Sequence, residues 1–244
     1  MNSKSRPFYF LPFAALLIVI LMPINSHSKS QIRNPKSAIQ TNPATDPEAE
    51  ALLQKVSDKY KAYKNIAAHF MLLIQRPKLN PDEPDSKYVD TMTGNVLLEG
   101  QKFKISAKDQ QIICDGKNIW TYSPADKEVQ VNYFEEGDDI FSPSKIFSLY
   151  KQGYLYQIKE KITVKGKKMT VIEMAPPNKK VTYFKIDITI DDATMELAES
   201  KVYEKNGIHY LYKLLKQTPN ALSNDETFTF QTKKYPGVKV VDLR

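Results

Sequence analysis

Residues 112–124, Ile-Ile-Cys-Asp-Gly-Lys-Asn-Ile-Trp-Thr-Tyr-Ser-Pro, constrain the fold more than any other stretch of the chain. β-Branched and aromatic residues, which suit a pleated surface, flank an Asp-Gly pair, and that combination is a β-hairpin. Asp115-Gly116 reads as the two residues of a primed turn, because glycine reaches positive φ without steric cost. The stretch speaks for a sheet and carries no catalytic group.

The same pattern extends in both directions. Ile66, Ala68, Phe70, Leu72 and Ile74 share one parity of a first strand. Met71 and Leu73 make its other face partly apolar, so both faces are expected to be covered near its end. Further strands are expected at about 87–99, 102–107, 110–114, 117–122 and 127–133, then at about 154–164, 168–175, 180–190, 195–205, 208–217, 226–231 and 238–241. Gly166, Pro176-Pro177-Asn178, Asp191-Asp192 and Asn206-Gly207 lie between consecutive runs, so sequence neighbours should pair antiparallel.

Two segments break the strand pattern. Asp46-Pro47-Glu48-Ala49-Glu50 combines a capping acid, proline at the first helical position and acids in the first turn, and Leu52, Leu53, Val56 and Tyr60 follow at helical spacing. A helix is expected over 48–62. In the segment 141–150, a capping Ser142, an early Pro143 and apolar residues at helical spacing predict a second, short helix. The periodicity predicts a mainly β (α+β) fold class, a large antiparallel sheet of about 11–12 strands plus two helices, and an incomplete antiparallel barrel with a helical lid would account for both. Closing the sheet fully would leave the two helices nothing apolar to cover.

At the N-terminus, Lys4 and Arg6 precede an apolar run from Phe8 to Met22, and Ser26-His27-Ser28 supplies small residues for a processing site. The run is interrupted by Pro12 and falls short of the roughly 20 residues that span a bilayer. Residues 1–28 therefore read as a signal peptide cut near Ser28, and the chain as exported. Residues 29–47, polar and with three prolines, read as a disordered linker, and 48–244 as one domain. Loss of Lys4 and Arg6 lowers the formal charge from +7 to +5, a diffuse excess with no basic cluster suited to nucleic acid. Cys114 is the single cysteine, so no intramolecular disulfide can form, and its strand position predicts a buried thiol.

Catalytic and metal chemistry find little support. His27 leaves with the signal peptide, and His69 and His209 sit in separate strands without a ligand partner at metal-binding spacing. Asp138-Asp139 and Asp191-Asp192 fit turns better than a carboxylate pair. No G-x-S-x-G and no phosphate-binding loop occur among the eight glycines. No enzyme, no cofactor and no metal are expected. What remains is an excess of large apolar side chains on strands and helices. Phe70, Leu72, Val96 and Leu98 come from the first two strands, Phe103, Ile105 and Trp120 from the next three, and Phe141, Ile146, Phe147 and Leu149 from mid-chain. They form either a core or the lining of a hollow under a lid built from Ala49–Lys61 and Pro143–Tyr150, with Leu52, Leu53, Val56 and Tyr60 facing inward. Read from the residues alone, the core comes first.

Four blocks in order over 48–244 resemble the periplasmic outer-membrane lipoprotein carriers, the LolA family. Residues 115–124 match its D-G-K-x-x-W-x-Y-x-P segment. Asn65-Ile66-Ala67-Ala68-His69-Phe70 and Thr93-Gly94-Asn95-Val96-Leu97-Leu98 are similar to its first two strands. Phe228-Thr229-Phe230, Pro236-Gly237-Val238 and Asp242-Leu243-Arg244 resemble its closing strand. The resemblance implies a half-barrel whose apolar side chains bind the acyl chains of lipoproteins and carry them from inner to outer membrane, and it turns the reading from core to lining. It implies acylated lipoproteins as cargo, an inner-membrane ABC-type lipoprotein-releasing complex and an outer-membrane acceptor as partners, and a monomer. The family's lid latch is an arginine in the second strand region. Glu99-Gly100-Gln101 holds none here, and Lys102 and Lys104 are the nearest cations. A carrier of free lipid or glycolipid, or a lipoprotein-sensing regulator on the same fold, is the alternative.

Overall fold

The computed structural model describes residues 46–77, 88–134 and 149–244. The expected signal peptide, nearly all of the linker, the Asp138-Asp139 pair and the helical segment up to residue 148 lie outside them.

The strands are β1 (Ile66–Gln75), β2 (Tyr88–Glu99), β3 (Lys102–Ala107), β4 (Gln111–Cys114), β5 (Asn118–Ser123), β6 (Glu128–Tyr133), β7 (Leu155–Val164), β8 (Lys167–Ala175), β9 (Tyr183–Asp191), β10 (Glu196–Glu204), β11 (His209–Pro219) and β12 (Lys239–Asp242). They join in one open sheet in the order β12-β6-β5-β4-β3-β2-β1-β11-β10-β9-β8-β7. Hairpins build each half, and the halves meet where β1 pairs antiparallel with β11, Ile74 opposite Tyr210 and Ile66 opposite Pro219. Twelve twisted strands cannot stay flat, so the sheet coils and presents an inner and an outer face.

The single α-helix among the described residues, α1 (Pro47–Lys61), lies on the inner face. Asp46 caps it, accepting from the amides of Glu48 (2.9 Å) and Ala49 (3.3 Å), with acids in the first turn and lysines in the last, as the helix dipole favours. Ala49, Leu53, Val56 and Tyr60 form its buried stripe. Beneath it the inner-facing residues of β1 to β4 and of β7 to β11 form one apolar cluster.

Three expectations need correction. The hairpin loop is Gly116-Lys117, one residue later than expected. Asp115 still pairs with Asn118, whose carbonyl accepts the Asp115 amide, and its carboxylate accepts the amides of Lys117 and Asn118. Gly116, at φ +91°, then fills the first central position of a type II′ loop. Second, residues 226–231 are not a strand. Asn224 and Thr227 cap each other reciprocally and turn the chain into a 3₁₀ helix, Asp225–Phe228, and a second one follows at Thr232–Lys234. Phe230, Tyr235 and Val238 then cover Ile113 and Val129 on the outer face. Third, the sheet is mixed, because this outer crossing delivers β12 to β6 in parallel.

Candidate functional site

Register and parity decide which expected lining residues share a face. Phe70, Leu72, Leu98, Phe103 and Ile105 are buried, Val96 is half-buried, and all six lie in the inner cluster. Ala68 stands opposite Val96, Val96 opposite Ile105, and Leu98 opposite Phe103, so the group is contiguous across β1, β2 and β3. Leu98 lies at the foot of the wall between Ile66 and Phe103, so a charge placed there acts on folding as well as on binding.

Trp120 is placed elsewhere. Cys114 pairs with Ile119 and Ile113 with Trp120, so the two-residue period sends Ile119 inward and Trp120 outward. Trp120 packs in the outer cluster with Ile113, Val129 and Phe230. Phe141, Ile146 and Phe147 lie outside the described residues, and Leu149 opens a short 3₁₀ helix, Leu149–Gln152.

The wall's second half was missed in the sequence. Ile172 and Met174 of β8 and Ile186, Ile188 and Ile190 of β9 belong to the same inner cluster. Ile172 faces Ile188, and Met174 faces Ile186. The signal was present: Ile186-Asp187-Ile188-Thr189-Ile190 alternates without a break.

Polar ties clamp α1 over this wall at both ends. At its start the second carboxylate oxygen of Asp46 accepts the Ile158 amide of β7 at 3.0 Å, and Lys161 reaches Glu48 at 2.6 Å. Near its middle the Tyr150 hydroxyl donates to Gln54. At its end the Tyr60 hydroxyl accepts the Leu197 amide at 3.0 Å and donates to Gln217, and Lys59 bonds Glu196 at 3.0 Å and the Thr194 carbonyl. Neither Lys102 nor Lys104 takes part. Both have the outward parity of β3, and Lys102 pairs with Asp225 instead.

Two hydroxyls in this region have no partner among the described residues: Ser57 Oγ on the buried side of α1 and Tyr212 Oη on β11, opposite Leu72. Burial pushes the Tyr212 phenol well above its ordinary range. An orphaned buried hydroxyl costs on the order of 1–3 kcal/mol, so these two subtract from the stability of the covered wall. The geometry offers an apolar surface and a cover held by a few polar contacts. Among the described residues no three His, Cys, Asp or Glu side chains converge as a metal site would need.

Asp46 gives a direct test of the clamp. The Ile158 amide, followed by the cap amides, holds its carboxyl below the ordinary carboxylate range. A depressed value in the fold means that its contribution is present above about pH 4 and is lost as pH falls through the folded value. Asp46→Ala should cost about 1–2 kcal/mol at neutral pH and lose that deficit in acid, read by urea unfolding at several pH values. A pH-independent deficit would remove the carboxylate from this role.

Residues 82–231 match the family described as Outer membrane lipoprotein carrier protein LolA. The outer-membrane lipoprotein carrier proteins of Histophilus somni strains 2336 and 129Pt are 34% and 33% identical over 137 residues, 56% of this chain and 62% of each relative. The chain thus matches somewhat under two thirds of the length of these relatives. An uncharacterised conserved protein from Thermus thermophilus has the same fold at a TM-score of 0.51 with 8% identity, over 80% of this chain and 99% of that one.

Proposed function

The chain belongs to the LolA family of outer-membrane lipoprotein carriers, and from that premise we propose that it binds lipoprotein acyl chains against the inner wall of its half-barrel and shuttles them through the periplasm from inner to outer membrane. The family is one of carriers, not enzymes. The observation that carries the reading is an open sheet whose inner face is apolar across β1 to β4 and β7 to β11 and is covered by the clamped helix α1.

The physical need is plain. Each CH₂ moved out of water is worth about 0.8 kcal/mol, so one long chain resists crossing an aqueous gap by roughly 10 kcal/mol. A shielded route is required, and the shield must also release its cargo. In this reading α1 is the lid. Its buried stripe opposes opening, the orphaned hydroxyls Ser57 and Tyr212 favour it, and acyl chains bind the opened state. An inner-membrane ABC-type complex would load the carrier, and an outer-membrane acceptor would unload it.

The test incubates the purified protein with membranes holding a triacylated lipoprotein. The expected result is a soluble complex of one lipoprotein per carrier, and its release to acceptor membranes. Uptake of free phospholipid without lipoprotein would point to a lipid or glycolipid carrier. Binding without release would point to a lipoprotein-sensing regulator.

A further inference from the structure

The outer face of the sheet is covered unevenly. Over β4 to β6 the C-terminal segment buries it through Phe230 and Tyr235. Across β3, β2, β1 and β11 a groove of about 350 Å³ remains, walled at one end by the loop after β11. Asn220, at φ +53°, turns that loop so that Leu222 stands fully in solvent on the groove's rim.

The groove's chemistry is asymmetric. Its floor is Ala67, Leu97 and Thr218, and its flanks carry Lys104 on β3 and Lys216 on β11. No carboxylate lines it, and neither lysine has an ion-pair partner among the described residues. Lys102 and Lys213, next along the same face, are each tied to a carboxylate at 2.8 Å, to Asp225 and to Glu199. His69 adds a polar edge at the centre, where its Nδ1 donates to Asn95 Oδ1.

We propose that this groove docks an extended acidic segment of a partner protein, with an apolar side chain on the Ala67–Leu97 floor against Leu222 and carboxylates at Lys104 and Lys216. Three inter-strand spacings separate β3 from β11, about 14 Å. Carboxylates four residues apart in an extended chain are separated by about the same distance, at roughly 3.4 Å per residue. A discrete segment fits better than a membrane. The exposed Glu226, which has no ion-pair partner among the described residues, follows closely after Leu222 and would repel an anionic bilayer laid across this whole face. The proposal concerns the outer face and stands apart from what the inner face carries.

The probe is a capped pentapeptide, Glu-Ala-Leu-Ala-Glu, titrated into the isotope-labelled protein. Binding should move the amide resonances of Ala67, Leu97, Thr218 and Leu222 and weaken as salt is raised. Combining Lys104→Glu with Lys216→Glu, two changes on the outer face that should leave the circular dichroism spectrum intact, should weaken binding about tenfold or more and confer binding of the peptide with lysine in place of glutamate. Leu222→Ser should weaken binding without altering its salt dependence. Absence of shifts at these amides in the millimolar range, or shifts indifferent to the charge reversal, would overturn the proposal. Lysine-dependent sedimentation with phosphatidylglycerol vesicles, without peptide binding, would make the face a membrane contact and overturn it equally.

Discussion

Gly94→Ala should destabilise the protein by about 3 kcal/mol, far more than one methyl group ordinarily costs on a strand. Gly94 lies in β2 between Phe70 of β1 and Ala107 of β3, on the inner face. A Cβ there would stand 2.6 Å from the Ser106 carbonyl oxygen and 2.8 Å from Phe70 Cζ. The phenylalanine ring can swing. The carbonyl belongs to the β2–β3 ladder and cannot move without disturbing the pairing of Asn95 with Ser106. The missing side chain is thus the slot that the Phe70 ring fills, and the register shift between His69 and Phe70 in the β1–β11 pairing falls at the same place. For a domain of this size the expected fall in Tm is roughly 6–12 °C by calorimetry. Adding Phe70→Leu should recover only the ring's share of the loss. A Gly94→Ala protein as stable as its parent would show that β3 adjusts freely and that the close approach has no energetic weight.

The contrast between Gly94 and Trp120 shows what a single sequence can reveal. Alternation and turn chemistry are local, so most strands and the helix α1 were legible to within a few residues. Which face of a strand turns inward is not local. The hairpin of β4 and β5 has Ile119 and Thr121 on one side and Trp120 and Tyr122 on the other, and both sides look buriable. Phe230 and Tyr235, more than a hundred residues later, decide the matter by covering the Trp120 side. The same segment misled the reading of 226–231. Phe228-Thr229-Phe230 alternates like a strand, yet the Asn224–Thr227 cap turns the chain first and both phenylalanines are buried without joining the ladder. The β1–β11 seam, which joins the halves of the inner wall, likewise depends on long-range pairing that no local pattern encodes.

The seam matters because the inner wall draws on both halves, while the polar ties of α1 to strands all run to the half formed by β7 to β11. Its first turn is bonded to β7 and its last to β10 and β11. A helix tied at both ends to distant strands resists opening until several weak contacts yield together. None of those contacts is the cation that the family resemblance led one to seek in β3. The hold is distributed over the Asp46 carboxylate, the Tyr60 hydroxyl and the Lys59–Glu196 pair, of which the last is partly exposed and contributes little alone. The apolar stripe must therefore supply most of what holds α1 against the wall.

Leu53→Ala accordingly separates a lid from an ordinary core helix. Leu53 is fully buried at the centre of the stripe, and its truncation should cost about 3 kcal/mol, within the range seen for leucine cores. In an ordinary core that loss is spread over the whole fold, and binding of an apolar ligand falls with stability. If α1 is the lid, much of the loss falls on the closed state alone. Tm then drops by roughly 6–12 °C while affinity for an acyl chain rises, by up to about a hundredfold if the full amount shifts the closed-to-open equilibrium. A fluorescent fatty-acyl probe whose emission increases in apolar surroundings reads the second quantity. Tyr60→Phe should move both in the same directions by less, because it removes the acceptor of the Leu197 amide and leaves the ring in place. Stability and acyl affinity falling together in both variants would assign α1 to the permanent core and place any cargo site away from it.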